Sequence, residues 1–427
     1  MIISMETLEK IWRFKDLRNK ILVATGLLLL TRVLAHIPLP GVDLEKLSVF
    51  FNQNQAFGLL NMFSGGTMSN FSIILMGVGP YITASILFQL LGMIFPAIEE
   101  IQKEGESGKA KIAQWTRLAT IPLAVIQAYS MLVLLKSQSI IDAWTSFDLA
   151  VMLISVTAGT MLLMWIGEII SEKGIGNGVS LIIAIGILSG FPEQIRNTAA
   201  LISTGDTSKI FGVIAFIIIF LITIAGIIAV QEGQRNVPVS YAKRLRLGAT
   251  QGISSHLPIR VNIAGVIPII FAMSMLVIPT VAAKYLEGAR TTWLANGAKS
   301  VADLMGNHLF YGIAYFLLVF LFTYFYTSIV FKPETIAENL QKQSGYVPGI
   351  RPGSETREYF QKIISRITLF GATFLGVIAV LPYIVESVTN ITTLALGGTG
   401  ILIIVSVVVE TMRQLQSQLV MHTYDNY

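Results

Sequence analysis

The sequence predicts an all-α polytopic membrane protein of ten transmembrane helices. Three observations carry this expectation. Of its 427 residues, 53% are hydrophobic and 13% charged, with a mean hydropathy of +0.69. A soluble domain carries about a quarter charged residues. The apolar residues also fall in blocks of roughly 20, the length at which a helix crosses the hydrocarbon core. Finally, Lys and Arg are distributed unevenly between the loops on the two sides of such a bundle, which orients it.

Taken in order, residues 1–20 are charged and amphipathic. They lack the short apolar core and small-residue cleavage site of a secretory signal, so no removed leader is expected. The predicted spans are 21–38, 72–96, 115–136, 149–170, 178–191, 210–230, 262–281, 309–331, 366–385 and 397–415. The second carries Gly77, Gly79 and Pro80, and the fifth is short and rich in glycine. Both are tolerated in lipid where neighbouring helices satisfy the freed backbone groups. Residues 55–71, QAFGLLNMFSGGTMSNF, are apolar but too short to cross. They read either as a re-entrant piece before span 2 or as a loop lying on the membrane surface.

With both termini on one side, 22 of the 30 Lys and Arg residues fall on that side and 7 on the other, with Arg32 inside span 1. Cytoplasmic loops carry such an excess, so both termini are expected to be cytoplasmic. A faint repeat divides the chain. Gly77-Val78-Gly79-Pro80 in span 2 matches Gly265-Val266-Ile267-Pro268 in span 7. Each lies in the second helix of a five-helix half. Because five is odd, consecutive halves must run with opposite topology, the pattern of inverted repeats in transport proteins.

Several chemistries are excluded. The chain has no cysteine, so it has no disulfide, thiolate metal site or cysteine nucleophile. His36, His256, His308 and His422 lack metal-ligand spacing. No HExxH, Walker A loop or Gly-x-Ser-x-Gly elbow is present, so neither a catalytic site nor a cofactor is expected. Gly176-Asn177-Gly178 reads as a turn into span 5. Glu168, Glu386 and Glu410 sit near span ends, and no span has a central Asp or Glu. This counts against a proton- or ion-coupled transporter. Arg32 is expected to snorkel to the outer interface.

The remaining polar and branched residues each have two readings. Gln89 and Gln127 lie deep in spans 2 and 3. They serve helix–helix hydrogen bonding, worth ~0.6–2 kcal/mol each, or line a polar seam that parts. Ile82 and Ile86 are one turn apart in span 2, as are Ile183 and Ile187 in span 5. They face lipid, or they form a stiff apolar collar that blocks ions by dewetting. Loops 231–261 and 332–365 are long, basic and rich in Gly and Pro. Their length exceeds what topology needs. Their charge suits RNA phosphate, anionic lipid or an acidic protein face.

Several stretches then converge. They are GVGPYITASILFQLL at 77–91, SEKGIGNGVSLI at 171–182, EGQR at 232–235, YAKR at 241–244, HLPIRVNIAGVIPII at 256–270, YVPGIRPG at 346–353 and LGGTGIL at 396–402. In this order the chain closely resembles the SecY family, central subunits of bacterial protein-conducting channels, from about Lys15 to Leu419. The resemblance implies two inverted halves, residues 1–205 and 206–427, hinged between helices 5 and 6 around an hourglass pore. It implies a pore collar of Ile82, Ile86, Ile183, Ile187, Ile270 and Ile403. It implies a plug including Leu59, Leu60, Asn61, Met62, Phe63, Ser64, Gly65 and Gly66. Gln89 and Gln127 become polar residues of a lateral gate between helices 2–3 and 7–8. Lys243, Arg244, Arg351 and Arg357 become docking residues for the SecA motor and the ribosome. The implied partners also include the small subunits SecE and SecG and signal-bearing polypeptides. The implied location is the inner membrane, with ATP hydrolysis left to SecA. Two departures bear on docking: Arg235 is followed by Asn236, and 247–255 lacks further basic residues.

Overall fold

The computed structural model describes residues 12–39, 42, 46–47, 61, 64–137, 140–141, 144–203, 207–241, 253–286, 291–389 and 397–424. Leu59, Leu60, Met62, Phe63, Lys243 and Arg244 lie outside these residues. The helices are α1 (Lys15–Leu34), α2 (Gly79–Ile94), α3 (Pro96–Lys103), α4 (Glu106–Ser137), α5 (Ser146–Lys173), α6 (Gly178–Ser203) and α7 (Thr207–Glu232). After two strands, β1 (Gln234–Tyr241) and β2 (Ile253–Arg260), come α8 (Ile267–Leu286), α9 (Thr292–Gly306), α10 (His308–Val330) and α11 (Pro333–Lys342). A short β3 (Gly345–Tyr346), α12 (Ser354–Thr389) and α13 (Gly397–Tyr424) complete the order.

Every predicted span overlaps a helix, although 72–78 and 262–266 are not helical, and the strict count is lower than ten. Among the described residues six helices are long and apolar enough to cross a membrane, and the bent pair α2–α3 makes a seventh. Gly178–Pro192 and Ile267–Leu276 are apolar but shorter. Pro192 and Pro279 lie inside the continuous helices α6 and α8, and the first turns of α1 carry Lys15, Asp16, Arg18 and Lys20.

Helix boundaries follow from backbone chemistry. Proline disfavours a helical residue before it. Phe95, preceding Pro96, is extended at φ −107° and ψ 111°, so α2 stops there and α3 leaves at 106°. Thr145 caps α5 with a reciprocal capping box to Asp148. Asn307 caps α10 through the amides of Leu309 and Phe310. The inherited pattern at 77–80 and 265–268 is also structural. Gly77 and Gly265 both adopt positive φ, 55° and 64°. In each case a helix begins two residues later with proline in its first turn.

The chain forms two compact units, one of Met1–Lys209, Val277–Met305 and Val407–Tyr427 and one of Ile210–Leu276 and Gly306–Ser406. The core of the first gathers Met68, Phe71 and Leu75 with Ala128, Leu132 and Leu135 of α4 and Met152 and Val156 of α5. Arg117 of α4 donates to Glu168 of α5 at 2.7 Å. In the second unit α10 and α12 lie close. A methyl on Gly376 would come 2.7 Å from the ring of Phe316, and Tyr311 meets Tyr383 at 5.5 Å. Small residues allow such approach between membrane helices.

The two long basic loops fold. β1 and β2 pair antiparallel from Gln234↔Arg260 to Tyr241↔Ile253, and β3 joins β1 at Ser240 and Tyr241. Val237, Val239 and Ile259 point inward onto Leu340, Val347 and Phe360. Pro238 sits where β1 has no second neighbour, so its missing N–H breaks no ladder bond. This apolar core orders segments that would otherwise be loops.

Candidate functional site

The site grows from the segment 64–78, which sits between α1 and α2 in sequence. It begins with turns rather than a regular helix. Gly65, Gly66 and Gly77 adopt φ of 78°, 76° and 55°, values that side chains rarely tolerate. Asn61 ties the first turns together. Its carbonyl accepts from the Gly66 amide at 2.8 Å and from the Ser64 hydroxyl at 2.8 Å. Its side-chain oxygen accepts from the Ser69 amide at 2.9 Å. Thr67 donates to the Ser64 carbonyl at 3.0 Å.

The segment is buried, which decides between its two sequence readings. Thr67, Met68, Phe71, Ser72, Leu75 and Val78 are each 2% exposed or less. A short bridge at Pro38↔Ser72 fixes the segment to the chain leaving α1, through Leu39 N to Phe71 O at 2.8 Å and Ile73 N to Ile37 O at 3.0 Å. On α5, Gly159 has no room for a methyl because the carbonyl of Ile73 occupies that place. On α6, a methyl on Gly186 would stand 2.7 Å from the Gly65 Cα. The backbones touch at both places. A residue lying on a membrane surface would make neither contact.

Arg32, expected to snorkel, has polar partners within the protein. Its guanidinium turns inward. Nη1 and Nη2 donate to the Gly65 carbonyl at 3.1 and 3.0 Å, and Nη1 also donates to the Ser189 hydroxyl on α6. Ser189 donates in turn to the Gly186 carbonyl at 2.7 Å. A small cavity bordered by Thr31, Arg32, Ser64, Thr67, Gly77 and Ile182 lies beside this cluster. The polar backbone at residue 65 lies within reach of the guanidinium. Sequence reasoning missed Arg32, Gly186 and Ser189 as one group. The available signal was that an ionisable residue inside a span is a functional candidate by default.

The six isoleucines divide between the units. In the first unit, Ile183 and Ile187 on α6 are 4% and 1% exposed, so they are packed rather than turned to lipid. Ile82 and Ile86 on α2 are half-buried. In the second unit, Ile403 on α13 is 1% exposed and Ile270 on α8 is half-buried. Gln89 donates to Ser85 within α2 at 3.3 Å. Gln127 donates from α4 to Thr83 of α2 at 3.5 Å, a helix–helix bond. Arg351 is exposed, its amide donating to Glu355 at 3.4 Å. Arg357 pairs with Glu334 at 2.7 Å on the surface of the folded loop module. No group of three or more His, Cys, Asp or Glu residues with metal-holding geometry occurs among the described residues.

Comparison with known proteins adds three findings. Residues 72–412 match the SecY family. The protein translocase subunit SecY of Helicobacter pylori is 41% identical over 96% of this chain and 98% of its own length. That of Halalkalibacterium halodurans is 41% identical over 99% of each. In three dimensions the chain resembles a solved protein-conducting channel, with a TM-score of 0.65 and 19% identity over 94% of this chain and 92% of that one. It also resembles Sec61 in the canine ribosome–channel complex of the endoplasmic reticulum, with a TM-score of 0.62 and 19% identity over the same shares.

Proposed function

This chain belongs to the SecY family of protein translocase subunits, and from that premise we propose how it passes polypeptide through a membrane. It is a multi-pass membrane protein whose work is that of a channel. The reading is of two inverted halves, 1–205 and 206–427, enclosing a pore whose waist is lined by Ile82, Ile86, Ile183, Ile187, Ile270 and Ile403. β-branched side chains are stiff at χ1, so such a waist fits an extended chain and offers it no binding site. A tight interaction would stall transport. The segment around 59–70 is the plug that closes the outer side of the waist.

The observation that carries this reading is the seating of 64–78. It is buried between α1, α4, α5 and α6, yet held at its leading end by hydrogen bonds at Gly65 and by close glycine contacts rather than by a continuous helix. A stopper needs this combination of good fit and few covalent or helical ties. The seam between α2–α4 and α8–α10 is the gate through which apolar signal segments reach lipid, with Gln89 and Gln127 beside it. Burying about ten apolar side chains of a signal would offset several kcal/mol of gate opening.

The driving force comes from outside the chain. Arg351 and Arg357, with Lys243 and Arg244, form the docking face for the SecA motor, which hydrolyses the ATP, and for the ribosome. The likeness to Sec61 in a ribosome–channel complex supports the second partner. SecE and SecG complete the channel in the inner membrane. Both termini are cytoplasmic, as the 22 of 30 basic residues on one side support.

The absence of native cysteine makes the test clean. One cysteine replaces Ile183, and another is placed in a stalled, signal-bearing substrate. Oxidation should give a substrate-dependent disulfide at 183 and none at a cysteine replacing the exposed Ile154 (69% exposed). An engaged substrate that never crosslinks to 183 would show the pore axis to be misplaced.

A further inference from the structure

We propose that Arg32 is the latch that holds the plug shut, and so a residue that sets which substrates can open the channel; this rests on the plug reading above. Three observations converge on it. First, the guanidinium spends both terminal nitrogens on one backbone oxygen, Gly65 O, at 3.1 and 3.0 Å. Among the described residues no carboxylate pairs with it, so its strongest partner is the plug itself. Hydrogen bonds from an ionised donor are roughly twice as strong as neutral ones.

Second, glycine is required on both sides of this contact. A methyl on Gly65 would come 2.9 Å from Arg32 Nη2 and 2.7 Å from the Gly186 Cα, and Gly65 has φ of 78°. The backbone therefore presents its carbonyl to Arg32 only because neither residue carries a side chain. Third, Ser189 holds the other flank of the guanidinium and is itself fixed to Gly186 O at 2.7 Å. Helix α6 thus carries both the seat of the plug and the clasp of its latch. A movement of α6 away from α1 would pull Ser189 and Gly186 from Arg32 and Gly65 together. Latch release is thereby coupled to the movement of α6. A signal segment that opens the channel poorly would not release it, and the latch would exclude such substrates.

The test reads plug displacement directly. Ile182 is 8% exposed and borders the cavity beside Ser64, so an Ile182→Cys channel, reconstituted without substrate, should react slowly with a membrane-impermeant maleimide added outside. Arg32→Gln keeps a polar amide but removes the charge and the reach of the guanidinium. It should raise the labelling rate about tenfold, since hydrogen bonds to charged groups are the strong ones. It should also increase export of a reporter whose signal carries a charge in its apolar core. Arg32→Lys keeps the charge without the planar fork and should fall between. If Arg32→Gln does not accumulate, Ser189→Ala decides by the same criterion, with an expected rise of about two- to threefold for loss of one partner. Unchanged labelling overturns the latch. Gly65→Val separates the two readings. If it labels fast while Arg32→Gln stays slow, the plug stands and the latch falls; if both stay slow, both fall.

Discussion

Gly65 and Gly186 meet backbone to backbone: a methyl group built on Gly186 would stand 2.7 Å from the Cα of Gly65. No real Cβ lies so close to backbone, so Gly186→Ala must push segment 64–66 away from α6. Overpacking of this kind costs about 1–3 kcal/mol, and here the cost falls on the closed state. The expected result is a rise in substrate-free ion conductance of reconstituted channels in planar bilayers. Gly190, one turn further along α6, has nothing within 4 Å of its added methyl. Gly190→Ala should therefore conduct like the parent.

Gly159 offers a stability counterpart. The place of its missing methyl is filled by the carbonyl of Ile73 and the side chain of Ile74. Ile73 is anchored through its amide, which donates to the Ile37 carbonyl at 3.0 Å, so its backbone has little room to move away. Gly159→Ala should lower the midpoint of thermal unfolding in detergent, by an amount matching about 1–3 kcal/mol. Gly26→Ala on α1, where space is open, should be neutral or stabilise by up to about 1 kcal/mol, because helix glycine costs backbone entropy.

The folded loop module separates packing from charge. Phe360 is fully buried against Val237, Val239 and Val347. Phe360→Ala should cost about 3–5 kcal/mol and expose the β1–β2 ribbon to limited proteolysis. Arg357 and Glu334 are 52% and 63% exposed despite their 2.7 Å contact. Arg357→Gln should change stability by less than about 1 kcal/mol. If the docking reading is right, it should nevertheless weaken binding of the motor, measured on the same preparation by sedimentation with proteoliposomes.

The sequence made some of this architecture legible and hid the rest for physical reasons. Helices were readable because each must satisfy its own backbone in lipid, which leaves long apolar blocks such as 210–230. The positive-φ glycines 77 and 265 were readable as a repeat, since only glycine adopts that backbone freely. The β1–β2 ribbon was not. Its alternation of Val237, Val239 and Tyr241 is short and broken by Pro238, and the flanking arginines made it look like a solvated loop. The orientation of Ile183 and Ile187 was also hidden. Lipid is as apolar as a packed interior, so helical spacing cannot tell one face from the other. The Arg32–Gly65 contact joins residues 33 apart in sequence, beyond any local pattern.

The waist assignment yields the last prediction. Ile187 and Ile403 are each 1% exposed, and Ile86 is half-buried. Each is proposed to face a pore that is narrow when closed. A polar side chain introduced there has two effects that act together. It lowers the cost of wetting the constriction, because dewetting depends on apolar walls. It also destabilises the packed, closed arrangement, since a buried polar group without partners costs about 1–3 kcal/mol. Ile86→Asn, Ile187→Asn and Ile403→Asn should each raise ion leak and permit export of substrates with weakened signals. The same change at Ile154, which is 69% exposed on α5, supplies the lipid-facing comparison and should do neither. Conductance and reporter export measured in parallel check both effects. If all three variants left both quantities at parental values, these isoleucines would not line the constriction, and their burial would reflect ordinary packing.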